Sequence, residues 1–338
     1  MDYITQINET LMPKPKQAPL VLDLFAGCGG LALGFEAEGF ATVGFEMNAD
    51  ACATYRRNLH GECHQVRLAP ETVIPASTVI IGGPPCQPFS VVGNQKGVAD
   101  DRDGFPVFIS AVRALQPDIW LFENVRGLLY RSKWYLEQVL SELRELGYVV
   151  EVRLLNAAQY GVPQNRERVV VVGHRGVFHF PKPIYKVVTA GEALIDLAHI
   201  APPESKFLTE SMDKYIATYE RKSQCVRPRD LHLNTPARTL TCRNLAGATS
   251  DMHRIRLSDG RRRRLLIREA ARLQSFPDWF TFEGSEASIF NQIGNAVPPL
   301  MAFQLAKSVR EYLASSERLD AKSVRRYASP VQPSLFTL

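Results

Sequence analysis

Short apolar runs alternate with amphipathic stretches through the first half of the chain. Pro19 to Phe25 is a buried strand by its length and apolarity, and Ala26-Gly27-Cys28-Gly29-Gly30 is a tight glycine turn. Leu31 to Glu38 then reads as a helix closed by Gly39. A second strand covers Ala41 to Phe45, a helix Asp50 to Leu59, and a strand Thr78 to Ile81. Phe105 to Leu115 is a helix, Asp118 to Phe122 a strand, and Trp134 to Leu146 an amphipathic helix ending at Gly147. Further strands cover Tyr148 to Leu155 and Arg168 to Val172. The polar start, residues 1 to 18, reads as a loosely held arm.

Strands and helices in this alternation predict an α/β fold, a doubly wound, mostly parallel sheet covered on both faces. Ligands of such sheets bind beyond the carboxyl ends of the strands. The glycine turn, Glu46, Cys86 and Glu123 each follow a strand directly, so they are expected along one edge. After about residue 178 the rhythm breaks. Pro181, Pro183, Pro202, Pro203, Pro228 and Pro236 punctuate a loop-rich stretch. Ten arginines then lie between Arg238 and Arg272, with Arg261 to Arg264 unbroken. Leu266 to Gln274 has a helical pattern, and Gln292 to Pro299 is expected to open a last helix reaching about Leu313. The expected division is 1–178 with 288–325 as one domain, 179–287 as a second, and 326–338 as a tail.

The 338 residues are 45% hydrophobic and 22% charged, enough for a substantial core and a smaller second unit. No apolar run approaches membrane-spanning length, and Met1 to Gln17 lacks a signal-peptide core, so a cytoplasmic protein is expected. The six cysteines include no Cys-x-x-Cys pair, which argues against zinc or redox-pair chemistry, and no metal site is expected.

The stretch Gly82-Gly83-Pro84-Pro85-Cys86-Gln87-Pro88-Phe89-Ser90 reads as a strand emptying into a stiff loop that presents one thiol. Cys86 is a candidate nucleophile, or else a buried structural cysteine. The glycine turn opening a helix, with Glu46 some twenty residues from the first strand, suits an adenosine-type ligand or a simple packing turn. Glu123, after Ile119 to Phe122, is a partly desolvated carboxyl that could hold a base's ring nitrogen and amine, or an acid capping the next turn. Gln164-Asn165-Arg166-Glu167-Arg168 could send an arginine to the cysteine loop, or be a surface charge cluster.

Together with Glu123-Asn124-Val125, the stretch Arg268 to Pro277 and Gln292-Ile293-Gly294-Asn295-Ala296-Val297-Pro298-Pro299, these segments resemble the ordered motif series of the DNA cytosine-5 methyltransferases, from Asp23 to Pro299. The resemblance implies a Rossmann-like methyltransferase sheet with a target-recognition domain. It implies S-adenosylmethionine as methyl donor and double-stranded DNA as substrate, with a cytosine flipped out of the duplex. Cys86 would add to carbon 6 of that cytosine, Glu123 would act at ring nitrogen 3, and Arg166 and Arg168 would support them. The donor would be held by Asp23, Phe25, Ala26, Gly27, Gly29, Gly30, Leu31, Glu46, Met47, Glu62, Pro84, Phe105, Asn295 and Ala296. Glu62 stands for an acid after the third strand that binds adenine. Gln87, Ser90, Arg238, Thr241, Arg243, Arg261, Arg262 and Arg263 would touch DNA, by phosphate contacts and guanine edges. Residues 90–103 would form a lid over the flipped base. Size and layout resemble a prokaryotic restriction-modification enzyme, a monomer acting alongside a cognate endonuclease. The alternatives are a tRNA cytosine-5 methyltransferase, a non-catalytic DNA-binding relative, and a donor-using enzyme acting on a small molecule. Ser90 and the absence of a Cys-Phe-Thr element favour DNA over tRNA.

Overall fold

The computed structural model describes residues 2–14, 17–86, 103–184, 186–222, 224, 229–247 and 250–315. It opens on a helix, α1 (Tyr3–Thr10), capped by the Asp2 carboxylate on Thr5 N–H. Strands and helices then alternate: β1 (Gln17–Leu24), α2 (Gly30–Ala37), β2 (Phe40–Glu46), α3 (Ala49–Asn58), β3 (Glu62–Gln65), β4 (Val79–Gly82), α4 (Phe105–Leu115), β5 (Ile119–Val125), α5 (Lys133–Glu145) and β6 (Val149–Asn156). β7 (Gln164–Asn165) and β8 (Glu167–His174) follow. The strand order β3-β2-β1-β4-β5-β8-β6 makes a seven-stranded, mostly parallel sheet in which β8 runs antiparallel to both neighbours.

Period-two alternation assigns each strand residue to one of two cores. Val21, Ile81 and Leu121 join the core that holds α2 and the end of the chain. Leu22, Ile80 and Trp120 face the opposite layer, against α4 and α5. Trp120 sits opposite Gly173 on β8, where a Cβ would stand 2.0 Å from the indole.

The second half carries α6 (Ala190–Ala193), α7 (Glu210–Lys222), β9 (Ala237–Arg238), α8 (Cys242–Ala246), β10 (Arg254–Arg256), β11 (Arg262–Arg264), α9 (Ile267–Leu273), α10 (Glu286–Asn295) and α11 (Pro299–Ala314). β10 and β11 form an antiparallel hairpin. Phe276 and Phe280, after α9, lie in the same core as Leu31 and Met301.

Two expectations about the ends are corrected. The start of the chain is not a loose arm. Tyr3, Ile7 and Leu11 recur every four residues and are buried, and Tyr3 OH donates to Arg272 O at 3.0 Å. Asn8 accepts from Asp278 N–H and Trp279 Nε1–H, which fixes the other side of the helix. The stretch from Gln292 to Asn295 does not open the last helix; it closes α10, and Pro299 begins α11, where a missing N–H costs nothing.

Candidate active site

The register places one row of residues across the sheet: His64, Phe45, Leu24, Gly82 and Phe122. The next residue on each inner strand is Glu46, Phe25, Gly83 or Glu123, so the carboxyl edge gathers the expected groups. β1 and β4 are adjacent but their connections leave in opposite directions, which opens a crevice at that edge.

On the β1 side, Phe25 takes the left-handed conformation with φ 61°, uncommon outside glycine, and the turn continues through Gly27 and Gly29 at φ 55° and 87°. Glu46 braces this turn. Its Oε2 accepts from Gly27 N–H at 2.9 Å and its Oε1 from Asn48 N–H at 2.7 Å. Each oxygen keeps a lone pair for a hydroxyl donor. Asp23 is buried beneath, and its Oδ2 has no hydrogen-bond partner among the described residues. Burial first, and the nearby Glu46 second, push its carboxyl up to about 8. A Cβ on Gly27 would meet nothing within 4 Å, so the turn faces open space. The far end of the chain closes the turn from behind: a Cβ on Gly30 would stand 2.5 Å from Val297 O and 3.3 Å from Ala296 Cβ. Ala26 and Leu31 are buried in the turn, Met47 is exposed, and Asn295 is exposed at the end of α10.

On the β4 side, Asn124 ties two strand ends together, donating Nδ2–H to Pro84 O at 2.9 Å. Pro84 is itself buried. Cys86 pairs with Asp103 as an isolated bridge, and Gly104 N–H donates to Pro85 O, so both ends of the intervening segment are pinned. Burial, then the Asp103 charge, push the Cys86 thiol up to about 12. Asp103 in turn accepts from Tyr135 OH and from Phe105 N–H. Glu123 stands beside Gly83 and pairs with Arg168, Nε to Oε1 2.7 Å, with both side chains about one-tenth exposed. A cavity of about 610 Å³ opens next to this pair, lined by Val125, Arg126, Asn156, Glu167, Arg168 and Thr239.

Several expected site residues stand elsewhere. Glu62 opens β3 opposite Val43, at the wrong end of the strand, and its exposed carboxylate turns to His64; the β3 carboxyl edge is Gln65 and Val66. Phe105 is fully buried, packed edge-on against Phe122 and Tyr135. Arg166 is a buried strut. Its guanidinium donates to the carbonyls of Leu240, Gly294 and Ala296 at 2.7–3.0 Å, and burial lowers its pKa well below the usual arginine value.

Among the expected DNA contacts, Arg263 is fully buried on the Glu269 carboxylate, and Arg262 faces Asp213 and Asp230 with one-tenth of its side chain exposed. Both guanidiniums are committed to carboxylates of the fold. Arg238 is held by Asp251, and the Thr241 hydroxyl caps α8. Arg243 is exposed, and Arg261 is exposed over the Phe207 ring and paired with Asp259. Gln87, Ser90 and the expected lid lie outside the described residues, save Asp103.

The functional residues that the sequence alone does not reveal are connectors. Gln164 and Gln274 are buried and hydrogen-bonded to each other, and they also bind Leu240 N–H and Ala296 O. Both belong to motifs, which was the available signal, but nothing in a motif says whether a glutamine touches substrate or backbone.

Comparison with known proteins bears on this geometry. The description C-5 cytosine-specific DNA methylase fits residues 20–311. The chain belongs to that family. The enzyme is therefore a DNA cytosine-5 methyltransferase. It is 58% identical over 294 residues to the Type II methyltransferase M.AplI of Arthrospira platensis, covering 86% of this chain and 85% of that one. It is 34% identical to the Type II methyltransferase M.NgoFVII of Neisseria gonorrhoeae, covering 86% of each. In fold, the methyltransferase is similar to the Entamoeba histolytica methyltransferase EhMeth, with a TM-score of 0.69, 16% identity, and 89% and 100% of the two chains covered. The S. pombe Dnmt2 methyltransferase gives a TM-score of 0.65 at 16% identity, over 88% and 99%. No helix among the described residues is long and apolar enough to cross a membrane.

Proposed function

We propose that the enzyme methylates carbon 5 of a cytosine turned out of double-stranded DNA, through a transient bond from Cys86 Sγ to carbon 6, with S-adenosylmethionine as donor. The observation that carries this reading is the placement of Cys86 and Glu123 at the carboxyl ends of adjacent strands, locked by the Asn124 hydrogen bond to Pro84 O. Carbon 5 is a poor nucleophile until a thiolate adds at carbon 6, so the chemistry needs a sulfur and an acid on opposite sides of one ring.

The residues at the β1 edge fit the donor. The Gly27 turn leaves space, Glu46 keeps acceptor capacity for ribose hydroxyls, and the orphaned Asp23 oxygen faces no donor among the described residues. Phe25, Ala26, Gly27, Gly29, Gly30, Leu31, Glu46, Met47 and Ala296 would hold it, with Asn295 at the rim. When bound, it supplies an electrophilic methyl group for carbon 5.

Cys86 gives its proton to water as the sulfur–carbon 6 bond forms, and the ring's π pair moves toward carbon 5 and nitrogen 3. Glu123 stands at nitrogen 3 to relay a proton there from water and to take it back, while Arg168 orients Glu123. Once carbon 5 is methylated, its proton leaves to water, the freed pair reforms the ring double bond as the sulfur–carbon 6 bond breaks to release the Cys86 thiolate, and nitrogen 3 gives its proton back. A thiol held near 12 stays protonated in the free enzyme, which keeps the nucleophile quiet until a base is present.

Residues 179–287 would carry target recognition, with Arg243 and Arg261 as the exposed cations among the expected contacts. The Type II relatives support a host-protection role beside a cognate endonuclease. Bisulfite sequencing of DNA from cells expressing the enzyme tests the whole reading. Methylated cytosine in one short motif is expected, with none for Cys86→Ser. Methylation retained by that variant would overturn the covalent route, and unmodified DNA with the native enzyme would overturn the reaction.

A further inference from the structure

The strand order bears on where the donor's base falls. The sheet runs β3-β2-β1-β4-β5, with Glu46 ending β2 and the Cys86 and Glu123 site beyond β4 and β5. A donor whose ribose meets Glu46 and whose methyl group faces that site spans β2, β1 and β4. Its purine leaves the other side of the ribose and so falls at the end of β3. That end carries no acid. From His64 to Leu68 the sequence is His-Gln-Val-Arg-Leu, and Glu62 stands at the strand's other end, opposite Val43. Gln65 is the register partner of Glu46, so both side chains leave the same face of the sheet. Phe45 and His64 take the opposite face, their rings 5.1 Å apart. Val66 N–H donates to Glu46 O at 2.9 Å, which ties the two strand ends together. Gln65 is exposed, and its side-chain amide has no hydrogen-bond partner among the described residues.

We propose that Gln65 reads position 6 of the donor's purine with a neutral amide, so that the enzyme takes a 6-oxopurine donor (hypoxanthine) as well as the 6-aminopurine (adenine). This rests on the S-adenosylmethionine reading above and adds base selectivity to it. A side-chain amide offers one acceptor oxygen and two N–H donors. Its oxygen accepts from a 6-amino group. Turned over about its last bond, its nitrogen donates to a 6-oxo group instead. No described residue holds the Gln65 amide in one orientation, so turning it breaks no hydrogen bond among them. A carboxylate in the same place has acceptors alone. It would answer the amine and set its charge against a carbonyl oxygen, which rejects the 6-oxopurine. The amide at the end of β3 therefore makes for a more tolerant purine site than an acid would.

Calorimetric titration of S-adenosylhomocysteine and of S-inosylhomocysteine, its 6-oxo counterpart, tests this without turnover. Circular dichroism confirms the fold of each variant, and the exposed position of Gln65 favours an intact one. The native enzyme should bind the two compounds within about tenfold of each other. Gln65→Glu should keep the adenosyl compound within about threefold of its native affinity, and widen the ratio between the two by about tenfold or more. Gln65→Ala should weaken both compounds by about three- to tenfold and leave their ratio near the native one. Native discrimination beyond about a hundredfold would overturn the tolerant amide. A ratio that Gln65→Glu leaves unchanged, or full affinity for both compounds in Gln65→Ala, would remove Gln65 from the purine site. A native enzyme that binds neither compound would instead sink the S-adenosylmethionine reading itself.

Discussion

Glu123 and Arg168 face each other across the antiparallel pair of β5 and β8, 2.7 Å apart and almost wholly removed from water. The arginine's pKa is lowered by burial, an effect that Glu123 partly offsets, so the Arg168 charge depends on its partner's presence. Glu123→Gln keeps the shape while removing the acid. It should bind DNA within a few-fold of the native enzyme, yet slow single-turnover methylation by about two to four orders of magnitude. Full turnover would remove Glu123 from the chemistry. Arg168→Ala leaves a buried carboxylate alone and should cost about 3–5 kcal/mol in urea denaturation.

Cys86 gives a reactivity prediction with a definite sign. Its thiol sits near 12 rather than 9, so at pH 8 it holds about a thousandth of the thiolate of an ordinary cysteine. Higher intrinsic nucleophilicity offsets part of that deficit. Alkylation of Cys86 in the free enzyme, followed on its peptide by mass spectrometry, should run about 50-fold slower than for free cysteine, and should keep rising with pH beyond 10. A rate equal to free cysteine would mean that the thiol is already activated before DNA arrives.

The strand-helix alternation was legible because the inner strands are short apolar runs, two of which end at Glu46 and Gly82, and the edge that follows from it was legible too. Cys86, Glu46 and Glu123 were placed correctly at strand ends for that reason. The failures share a cause, since a residue's partners are not written beside it. Arg262 and Arg263 read as free cations because Asp213, Asp230 and Glu269 are brought to them only by the fold. Glu62 was misplaced because β3 is four residues long, with one buried, and its carboxyl end cannot be told from its start by periodicity. The first helix was missed because only two of its positions and the next, Tyr3, Ile7 and Leu11, carry the buried apolar stripe.

Gly34 should prove irreplaceable for a reason of contact rather than conformation. It lies inside α2, where a Cβ would stand 2.4 Å from Phe303 N and 2.5 Å from Ala302 C on α11. Backbone cannot step aside as a flexible side chain can. Gly34→Ala should therefore cost about 1–3 kcal/mol despite alanine's better helix propensity. It should also weaken donor binding, because α11 follows directly from the Ala296 end of the turn. A thermal midpoint equal to or above the native one would show that α2 and α11 separate freely.

Arg263 separates a structural arginine from a DNA-contacting one. Its guanidinium donates to both Glu269 oxygens at 2.7 and 2.8 Å, and to Ile200 and Leu197 carbonyls. Arg263→Ala strands a fully buried carboxylate and should destabilise by about 3–5 kcal/mol. The salt slope of DNA binding, measured below the unfolding midpoint, should not move. Arg243→Ala should do the reverse, leaving stability within about 0.5 kcal/mol and lowering the slope by about one. Exchanged outcomes would return Arg263 to the interface.

Asp23 offers a test of the site by pH. Burial and the neighbouring Glu46 hold its carboxyl at about 8, whereas the unfolded chain releases that proton near 4. An acid with a raised folded value makes folding less favourable as pH climbs, because only the folded state keeps the proton. The cost is absent below the unfolded value, grows by about 1.4 kcal/mol per pH unit, and levels off above the folded one. Asp23→Asn has nearly the same shape and nothing to titrate. Urea denaturation at pH 5, 6.5 and 8 should show a native enzyme that loses stability toward pH 8. The variant should exceed it by about 1–2 kcal/mol at pH 5 and by about 3–5 kcal/mol at pH 8. Glu46→Gln removes the second cause, so its profile should be shallower than the native one. Parallel profiles for native enzyme and Asp23→Asn would show that Asp23 is ionised in the folded state, with a counter-charge close to its buried oxygen.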